Sequence, residues 1–382
     1  MADKKFLVLG GGLGGVVAAR ELRRQVGKEH SVTLIDRRDE HIFLPSLPWI
    51  MTGDMESFKA KKDLRVLEKK GINFIHAEVQ KIDLRKKRVE TTKGNYDYNY
   101  LIISLGARLE PENIPGLKEA SINIYELEGM ENLRRVLRDF KCGRVVVLVC
   151  SILKKCAAAS IEIPFLLDHF FVKQGIRDKV DLRLVTPDPY PLPYLTPSLG
   201  KDLQEKMEAR GIVYSPRSNV REIRNNKIYL EHGDPVPFDL LLTVPPHYAA
   251  DVVEKSNLTG KSGWIEVDPE TMWTGFEGVY AIGDIISIPL PAGGFMDKTG
   301  LLAELQAKVV TSNLSRAVRG EKMDNKFSGK GMCLLETGFG KALFFGINFF
   351  NPIEVNARIP LESRAFRLAK VMFFKYWFPR WF

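Results

Sequence analysis

Cysteine, histidine and long apolar runs are all scarce in this sequence. Its 382 residues include six histidines and four cysteines, the latter at positions 142, 150, 156 and 333. Four cysteines do not make the framework of a small disulfide-rich fold, and none lies in a Cys-x-x-Cys pair, so no metal site is expected. No apolar run reaches about 18 residues, so no spanning helix is expected. No apolar signal segment precedes the first strand, so no secretory signal is expected either.

The composition is that of a folded, basic protein. Hydrophobic residues make up 45% and charged residues 27% of the chain, which suits two or three ordinary domains. The net charge of +9 favours an anionic membrane, nucleic acid or an anionic substrate as partner. Because no nucleic-acid motif is present, nucleic acid is not an expected partner. A merely solvated basic surface is the alternative.

A complete dinucleotide-binding fingerprint lies near the N-terminus. An apolar strand at 5–9 is followed by GGGLGG at 10–15, in which Gly10, Gly12 and Gly15 have G-x-G-x-x-G spacing. A helix over 16–26 and a strand over 32–35 follow, and the strand ends at Asp36. The helix N-terminus would hold a pyrophosphate, and Asp36 would hydrogen-bond a ribose hydroxyl.

Two later segments predict which dinucleotide binds. Residues 98–107 form a strand followed by glycine and Ala107, and residues 278–284 form a strand ending in Gly283 and Asp284. Their order resembles that of glutathione-reductase-like flavoproteins with two dinucleotide-binding domains. The resemblance implies FAD, with Asp284 on its ribityl chain.

The second nucleotide-binding unit lacks its glycines. An apolar strand at 144–149 should open that unit, but the next seven residues, 150–156, read CSILKKC. A flavoprotein that exchanges electrons with NAD(P)H needs a second phosphate cradle at this place. The sequence therefore predicts sulfur chemistry at a flavin instead.

The element pattern predicts an α/β fold with two Rossmann-like domains and a C-terminal membrane-binding tail. Helices are expected at 127–140, from about 157, and at 197–210, and strands at 144–149 and 180–186. We expect an FAD-binding domain over 1–115 and 256–320, a second Rossmann-like domain over 116–255, and a C-terminal region over 321–382.

Four short segments resemble one flavoprotein family. They are FLPSLPW at 43–49, which contains Pro45; CAAASIE at 156–162; KTG at 298–300; and GMCLLETGFGK at 331–341. Over nearly its whole length the chain resembles the sulfide:quinone oxidoreductase and flavocytochrome c sulfide dehydrogenase family. Ser160 stands where that family usually has proline.

The resemblance implies a reaction and its residues. Sulfide would attack a Cys156–Cys333 disulfide, and electrons would pass through FAD to a membrane quinone, giving sulfur or polysulfide. The helix N-terminus after Cys156, together with Lys154 and Lys155, is expected to lower the pKa of the Cys156 thiol. The alternative is a pair of buried structural cysteines.

Two further residues have implied catalytic roles. Glu162 is expected to act as a base for hydrogen sulfide or to relay protons to the quinone. Lys298, beside the cofactor residue Thr299, would stabilise the reduced flavin or lie near the quinone carbonyl. The alternatives are a helix-surface carboxylate and an ordinary surface lysine. His41 is expected to be a loop residue.

The chain departs from the family pattern in two respects. Residues 90–125 contain no third active-site cysteine, which leaves the sulfur product open. Residues 41–53 contain no flavin-attaching cysteine, so noncovalent FAD is expected. Cys150 is expected in the core, and Cys142 has no expected role.

The C-terminal residues 364–382 alternate aromatic, aliphatic and basic side chains. This pattern predicts a helix lying in a membrane interface, with Trp377 and Trp381 at headgroup level. Residues 344–350 would add a second apolar patch. The alternative is a helix docked on its own domain or on a partner subunit. The predicted protein is a peripheral protein of the cell membrane and a homo-oligomer. The candidate quinone contacts are Phe344, Phe349, Phe350 and His247.

Three other functions fit parts of the pattern. A type II NADH:quinone oxidoreductase would need the missing glycine loop. A cytochrome-coupled sulfide dehydrogenase would be exported with a haem partner. A flavin-binding sulfide sensor without catalysis would show no sulfide-dependent flavin reduction.

Overall fold

Two parallel five-stranded sheets form the framework of the molecule. The computed structural model describes residues 3–291, 293–351 and 361–382. In spatial order, the first sheet contains the strands Val279–Ala281, Tyr100–Ile103, Lys5–Leu9, Ser31–Asp36 and Asn73–His76. The second contains Ile122–Asn123, Leu240–Val244, Gly143–Val149, Val180–Val185 and Ile212–Ser215. The strand before the glycine loop, Lys5–Leu9, lies at the centre of the first sheet. Its counterpart, Gly143–Val149, lies at the centre of the second.

The other strands form small sheets at the edges. The pairs are Glu40–Ile42 with Lys61–Asp63, Ala107–Leu109 with His247–Ala249, Ile265–Glu266 with Ile286–Ser287, and Lys330–Gly338 with Lys341–Asn348. The triplets are Val79–Asp83, Arg88–Thr91 and Gly94–Asp97, and Val220–Arg224, Lys227–Leu230 and Val236–Pro237.

The α-helices cover the sheets and carry several of the site residues. They are α1 (Leu13–Gln25), α2 (Leu47–Thr52), α3 (Leu117–Ala120), α4 (Leu127–Asp139), α5 (Ala157–Lys173), α6 (Pro197–Glu208), α7 (Asp251–Lys255), α8 (Gly300–Val318) and α9 (Arg364–Trp381).

The predicted α/β architecture with two Rossmann-like sheets is confirmed. The central strands are apolar runs because helices cover both faces of a parallel sheet. Val8 and Val147, in the middle of the two sheets, are fully buried. The helices expected at 127–140, from 157 and at 197–210 are α4, α5 and α6.

The C-terminal helix α9 is docked on the body of the protein. Trp377 and Trp381 are buried, so their predicted place at headgroup level is wrong. The Trp377 ring packs 5.1 Å from that of Phe43. Indole rings bury a large apolar area, and here the protein itself supplies the apolar surface. Residues 352–360 of the predicted C-terminal region lie outside the described residues.

The second expected apolar patch, at 344–350, is also largely internal. Phe345 and Phe349 are buried, while Phe344 packs its ring 5.6 Å from that of Phe366 in α9. Within the three described ranges, none of the helices combines the length and the apolar content needed to cross a membrane.

Candidate functional site

The glycine loop between the first strand and α1 is shaped to hold a phosphate. Gly10 has φ +100°, and a Cβ atom there would lie 2.2 Å from the Ser104 carbonyl oxygen. A Cβ on Gly15 would lie 1.7 Å from the Gly10 carbonyl oxygen. A Cβ on Gly12 would have no protein atom within 4 Å. Gly10 and Gly15 are thus required by packing, whereas Gly12 leaves space at the N-terminus of α1 for a ligand.

The predicted acidic residue lies beside this loop. Asp36 accepts hydrogen bonds from the backbone N–H groups of Gly11 at 2.5 Å and Arg38 at 2.7 Å. Burial raises the pKa of Asp36, and these two hydrogen bonds oppose the rise. The loop, the helix N-terminus and the carboxylate together match the donor set that a dinucleotide requires.

His41 connects the glycine loop to α9, so its prediction as a loop residue is wrong. It lies on the short strand Glu40–Ile42 and is buried. Its Nδ1 is 2.8 Å from the Gly11 carbonyl oxygen, and its ring stacks on Trp377 at 4.8 Å. Burial lowers the pKa of His41 to about 4, so the imidazole is neutral at pH 7.

The late motif lies at the N-terminus of α8. Gly283, Lys298, Thr299 and Gln306 line one pocket, and the Thr299 side chain caps α8 by accepting from Leu302 N at 3.3 Å. Burial raises the pKa of Asp284, whereas nearby Lys155 and Lys298 lower it. The predicted cofactor residues of this motif therefore share one place in the fold.

Lys298 is a buried residue and not a surface lysine. Its Nζ donates to the carbonyl oxygens of Asp284, at 3.0 Å, and Ile286, and lies 3.8 Å from the centre of the Trp264 ring. Burial lowers its pKa to about 8, while Asp284 opposes that change. Its side chain holds the loop after Gly283. A role toward flavin or quinone stays a prediction.

The remaining predicted cofactor residues lie on two different edges. Pro45 lies in a short 3-10 helix, Leu44–Ser46, next to Phe43 under α9. Ala107 begins the strand that pairs with His247–Ala249, with Leu109 opposite His247. This pairing holds His247 near Tyr125, with ring centres 5.6 Å apart.

After the central strand of the second sheet, the segment 150–156 that replaces the glycines is held by contacts of Lys154. Lys154 is buried, and its Nζ lies 2.7 Å from Asp188 Oδ2, just beyond the next strand. The same ammonium contacts the carbonyl oxygens of Ser151 and Ile152 at 3.4 and 3.3 Å. The cation that was expected to activate Cys156 is thus paired elsewhere.

Cys156 and Cys333 are brought into one half-buried site. Cys156 precedes α5 in a left-handed conformation, with φ 48°, and the strand Lys330–Gly338 carries Cys333 across α5. Both sulfurs are free thiols in the structure. The charge of one thiolate raises the pKa of the other, and both thiols respond to Asp297 and Glu162. The disulfide stays a prediction.

The expected low pKa of Cys156 is wrong for this dithiol form. Burial, followed by the negative charge of Asp297, raises it to about 12. The α5 N-terminus and nearby lysines do not outweigh these effects. Desolvation of a thiolate in an apolar pocket dominates over a helix dipole of modest strength.

The other two cysteines lie outside this site, and Cys150 packs against the second core without being fully buried. Cys150 is half-buried, and its sulfur is 3.3 Å from the Thr243 hydroxyl oxygen. Cys142 is exposed.

Glu162 belongs to a buried charge cluster beneath Cys333, which excludes the helix-surface alternative. Glu162 Oε1 lies 2.6 Å from Lys370 Nζ in α9, and Glu162 Oε2 accepts from Glu336 N at 3.1 Å. Glu336 also contacts Arg367 at 3.1 Å and Trp49 Nε1 at 2.6 Å. Burial raises the pKa of Glu162, and Lys370 opposes that effect.

Glu336 and Lys370 were not predicted as site residues. They are 174 and 208 positions from Glu162, so no local pattern relates them to it. Two signals were present in the sequence. Glu336 lies within the 331–341 motif, and Lys370 lies in the C-terminal segment whose basic residues are predicted to meet a membrane.

Asp297 is a third site residue that was not predicted. Its Oδ1 accepts from Ala157 N at 3.2 Å and from Lys298 N at 3.0 Å, and Cys156 N donates to the Lys298 carbonyl at 2.6 Å. Burial raises the pKa of Asp297 to about 6. Its position next to the 298–300 motif was the signal that could have identified it.

The predicted quinone contacts do not form one cluster. Phe344 faces Phe366 of α9, Phe349 lies 5.6 Å from Tyr194, and Phe350 lies 5.9 Å from Phe327. His247 is held near Tyr125, away from these contacts. Their roles toward a quinone stay predictions.

The fold and glycine loop define an oxidoreductase with two dinucleotide-binding domains. The chain belongs to the pyridine nucleotide-disulphide oxidoreductase family, whose model matches residues 4–299.

Two curated relatives and one solved structure are compared with the chain. It is 26% identical over 396 residues to the mitochondrial sulfide:quinone oxidoreductase of Mus musculus, covering 98% of this chain and 85% of the relative. It is 26% identical over 380 residues to the type II NADH:quinone oxidoreductase of Staphylococcus aureus, covering 90% of each. The sulfide:quinone oxidoreductase structure from Aquifex aeolicus matches with a TM-score of 0.87 and 23% identity, over 99% of this chain and 91% of that one.

The glycine loop gives a matched pair of variants. Gly12→Ala is expected to leave folding unchanged but to lower flavin content severalfold, because the added methyl group projects into the space left for the ligand. Gly15→Ala should instead destabilise the apoprotein, because its methyl group overlaps a backbone oxygen. Flavin absorbance per protein and thermal unfolding of apoprotein separate the two effects. Equal flavin content in Gly12→Ala and the parent protein would contradict this account of the loop.

Proposed function

We propose that the protein is an FAD-dependent sulfide:quinone oxidoreductase. The observation that carries the proposal is that Cys156 and Cys333 share one half-buried site, although 177 positions separate them in the sequence. Two thiols that share a site suit two-electron chemistry, since together they can form or open one disulfide.

In the proposed reaction, the sulfur of sulfide bonds to one cysteine sulfur of a disulfide. The S–S bond breaks, one cysteine becomes a persulfide and the other leaves as a thiolate. The loop at 10–15, with Asp36, Asp284 and Thr299, would hold FAD noncovalently, and FAD would supply two-electron redox chemistry there. The chain's own part is to hold the sulfurs, exclude water and move protons. The membrane quinone is the proposed final acceptor, with sulfur or polysulfide as product.

One of the two protons that a quinone takes up on reduction to the quinol is proposed to come through Glu162 and Lys370. These groups form a buried pair at 2.6 Å, and Lys370 lies on α9, the helix with an exposed apolar face. Phe344 and Phe366, stacked at 5.6 Å between the last hairpin and α9, are the candidate aromatic contacts on this side.

Overall identity does not choose between the sulfide-using and NADH-using relatives, since it is 26% for both. The site favours sulfide. NADH would need a phosphate cradle after the strand Gly143–Val149. In the segment that follows this strand, Lys154 instead pairs with Asp188, at a distance of 2.7 Å. Asp188 lies just beyond the next strand, where a carboxylate would bind the ribose of NADH. Its ion pair with Lys154 engages that carboxylate.

Anaerobic flavin absorbance tests the proposed function. The purified holoprotein is mixed separately with sulfide and with NADH, and a quinone is then added. Bleaching by sulfide and recovery with quinone is the expected result. Bleaching by NADH alone would favour the type II NADH:quinone oxidoreductase. No response to either donor would favour a noncatalytic sensor.

We further propose that α9 binds a membrane surface. Its outer face exposes Leu368, Met372 and Tyr376, and Arg364, Lys375 and Arg380 are also exposed. Apolar residues with flanking cations suit an anionic bilayer interface. Oligomerisation stays a prediction.

Met372→Glu is expected to weaken binding to vesicles containing anionic phosphatidylglycerol by about tenfold or more, because a charge replaces an inserted apolar group. Phe58→Glu is the control, since Phe58 is 71% exposed and lies outside α9. Co-sedimentation measures both. Equal losses for the two variants would argue against α9 as the contact.

A further inference from the structure

Asp297 holds a carboxylate oxygen with no hydrogen-bond partner inside the proposed sulfur site. The residue is only 7% exposed. Its Oδ1 is used by the N–H groups of Ala157 and Lys298, whereas Oδ2 is buried and has no hydrogen-bond partner among the described residues. Burial raises the pKa of Asp297, and the Ala157 N–H, the Lys154 charge and the Tyr194 hydroxyl oppose that rise. Buried polar atoms are normally satisfied, so an unsatisfied carboxylate oxygen needs an explanation in function.

Asp297 lies on the segment next to Cys156. The segments 155–157 and 297–298 run next to each other, with Cys156 N donating to the Lys298 carbonyl and Ala157 N to Asp297. The Asp297 charge acts on both Cys156 and Cys333. The titratable groups coupled to Asp297, Cys156 or Cys333 are Tyr125, Tyr194, Lys154, Lys155, Lys298, Glu162 and Lys370.

The site disfavours a negatively charged sulfur. Burial raises the pKa of Cys156 to about 12, and Asp297 and Glu162 add to this rise, whereas Lys370 opposes it. A hydrosulfide anion would meet the same desolvation and the same carboxylates. The environment therefore favours neutral hydrogen sulfide, which must lose a proton as its sulfur attacks.

We propose that the substrate enters as neutral hydrogen sulfide and that the free Oδ2 of Asp297 takes its proton. This inference rests on the proposed function. In the step, the sulfur of hydrogen sulfide bonds to one cysteine sulfur, and the disulfide bond breaks. One H–S bond also breaks and its proton goes to Asp297. The products are a cysteine persulfide, a cysteine thiolate and the neutral acid of Asp297, so atoms, electrons and charge balance.

Proton uptake by Asp297 also assists the leaving sulfur. The carboxylate charge is the second largest contribution to the raised pKa of Cys156. Once Asp297 is neutral, that contribution disappears and a thiolate at Cys156 is easier to form. The same proton transfer therefore activates the nucleophile and stabilises the leaving group.

Glu162 is less suited to this step. Both of its oxygens are engaged, one by Lys370 at 2.6 Å and the other by Glu336 N at 3.1 Å. Asp297 alone of these two carboxylates keeps an oxygen without a partner.

The test compares two nucleophiles on oxidised holoprotein in Asp297→Asn. Hydrogen sulfide must lose a proton when it attacks, whereas the sulfite dianion attacks a disulfide without losing one. Rapid quenching, alkylation and mass spectrometry measure the rate at which the disulfide is consumed, and the rate at which persulfide or S-sulfocysteine forms. Asp297→Asn keeps a side-chain oxygen for the two backbone N–H groups, and flavin content checks its folding. Asp297→Glu is the second variant.

Asp297→Asn is expected to slow the sulfide reaction by roughly 10²-fold, as for removal of a general base. The sulfite rate should not fall, because the amide no longer repels the dianion. In the parent protein the sulfide rate should fall below about pH 6, where Asp297 becomes protonated. This acid limb should be absent in Asp297→Asn and present in Asp297→Glu.

Equal slowing of sulfide and sulfite, or no slowing of either, would overturn the role of Asp297 and leave the proposed function intact. If the parent protein itself fails to consume its disulfide with sulfide, the proposed function fails, and this inference fails with it.

Discussion

Cys333→Ser is expected to lower the rate of sulfide-dependent flavin reduction by about three orders of magnitude or more. The reason is chemical, because a hydroxyl neither forms a disulfide with Cys156 nor accepts a sulfur atom. The substitution nearly preserves the side-chain volume, so the strand Lys330–Gly338 should keep its place on α5. Stopped-flow absorbance of the holoprotein mixed with sulfide measures the effect. Cys156→Ser should give the same result.

The chain offers its own controls for this prediction. Cys150→Ser retains a group that hydrogen-bonds Thr243, and Cys142→Ser changes an exposed residue. Both variants should reduce flavin at close to the parent rate. A Cys333→Ser protein with normal sulfide reactivity would exclude the two-cysteine chemistry, as would equal loss in the Cys150→Ser control.

Glu162→Gln is expected to slow quinone reduction by roughly 10²-fold while flavin reduction by sulfide stays largely intact. The amide cannot carry a proton, and Lys370 loses its nearest carboxylate, at 2.6 Å. Removing one partner of a buried ion pair also destabilises the fold, by about 3–5 kcal/mol in other proteins. Thermal unfolding should therefore be measured on the same preparation.

The pH dependence of this step has a defined sign. Burial raises the pKa of Glu162, so its acid form persists to higher pH than that of an exposed glutamate. A group that donates a proton loses activity as the pH rises through its pKa, so the quinone half-reaction should slow toward alkaline pH. Glu162→Gln should remove that dependence.

Glu304→Gln is the matched control. Glu304 is also buried and paired with a lysine, Lys308, at 2.6 Å, but it lies on α8. It should change stability without separating the two half-reactions. If Glu162→Gln slows both half-reactions equally, the proton relay to the quinone is excluded.

Local patterns predicted the geometry of the glycine loop and the place of Asp36 beside it. Gly10, Gly15 and Asp36 have roles that backbone geometry dictates, and their spacing in a strand–turn–helix unit identifies those roles. The parallel strands could be predicted from continuous apolar runs. A strand that is buried on both faces has apolar residues at successive positions, without alternating polar ones.

The electrostatics of the sulfur site could not be predicted in this way. Lys154 and Cys156 are neighbours in sequence, but Lys154 pairs with Asp188, just beyond the next strand. Asp297, 141 positions from Cys156, then supplies the nearby charge. A pKa depends on desolvation and on charges in space, and neither follows from sequence spacing.

The face that α9 buries was also misassigned. Its aromatic and basic residues are spread around the helix, so composition alone does not tell which side meets protein. The structure buries Trp377 on Phe43 and His41 and leaves Leu368 and Tyr376 outside. The orientation of α9 is set by the contact of Trp377 with the Phe43 ring, which lies 334 positions earlier in the sequence.

The stacking of His41 on Trp377 has a consequence for biosynthesis. His41 contacts the glycine loop, so one wall of the nucleotide site is incomplete until residues 377–382 have left the ribosome. A nascent chain therefore exposes His41 and Phe43 until α9 has emerged, and we expect stable insertion of the cofactor only after that point. A chain that ends before α9 would have an incomplete nucleotide site, and we expect cellular proteases to degrade it more readily.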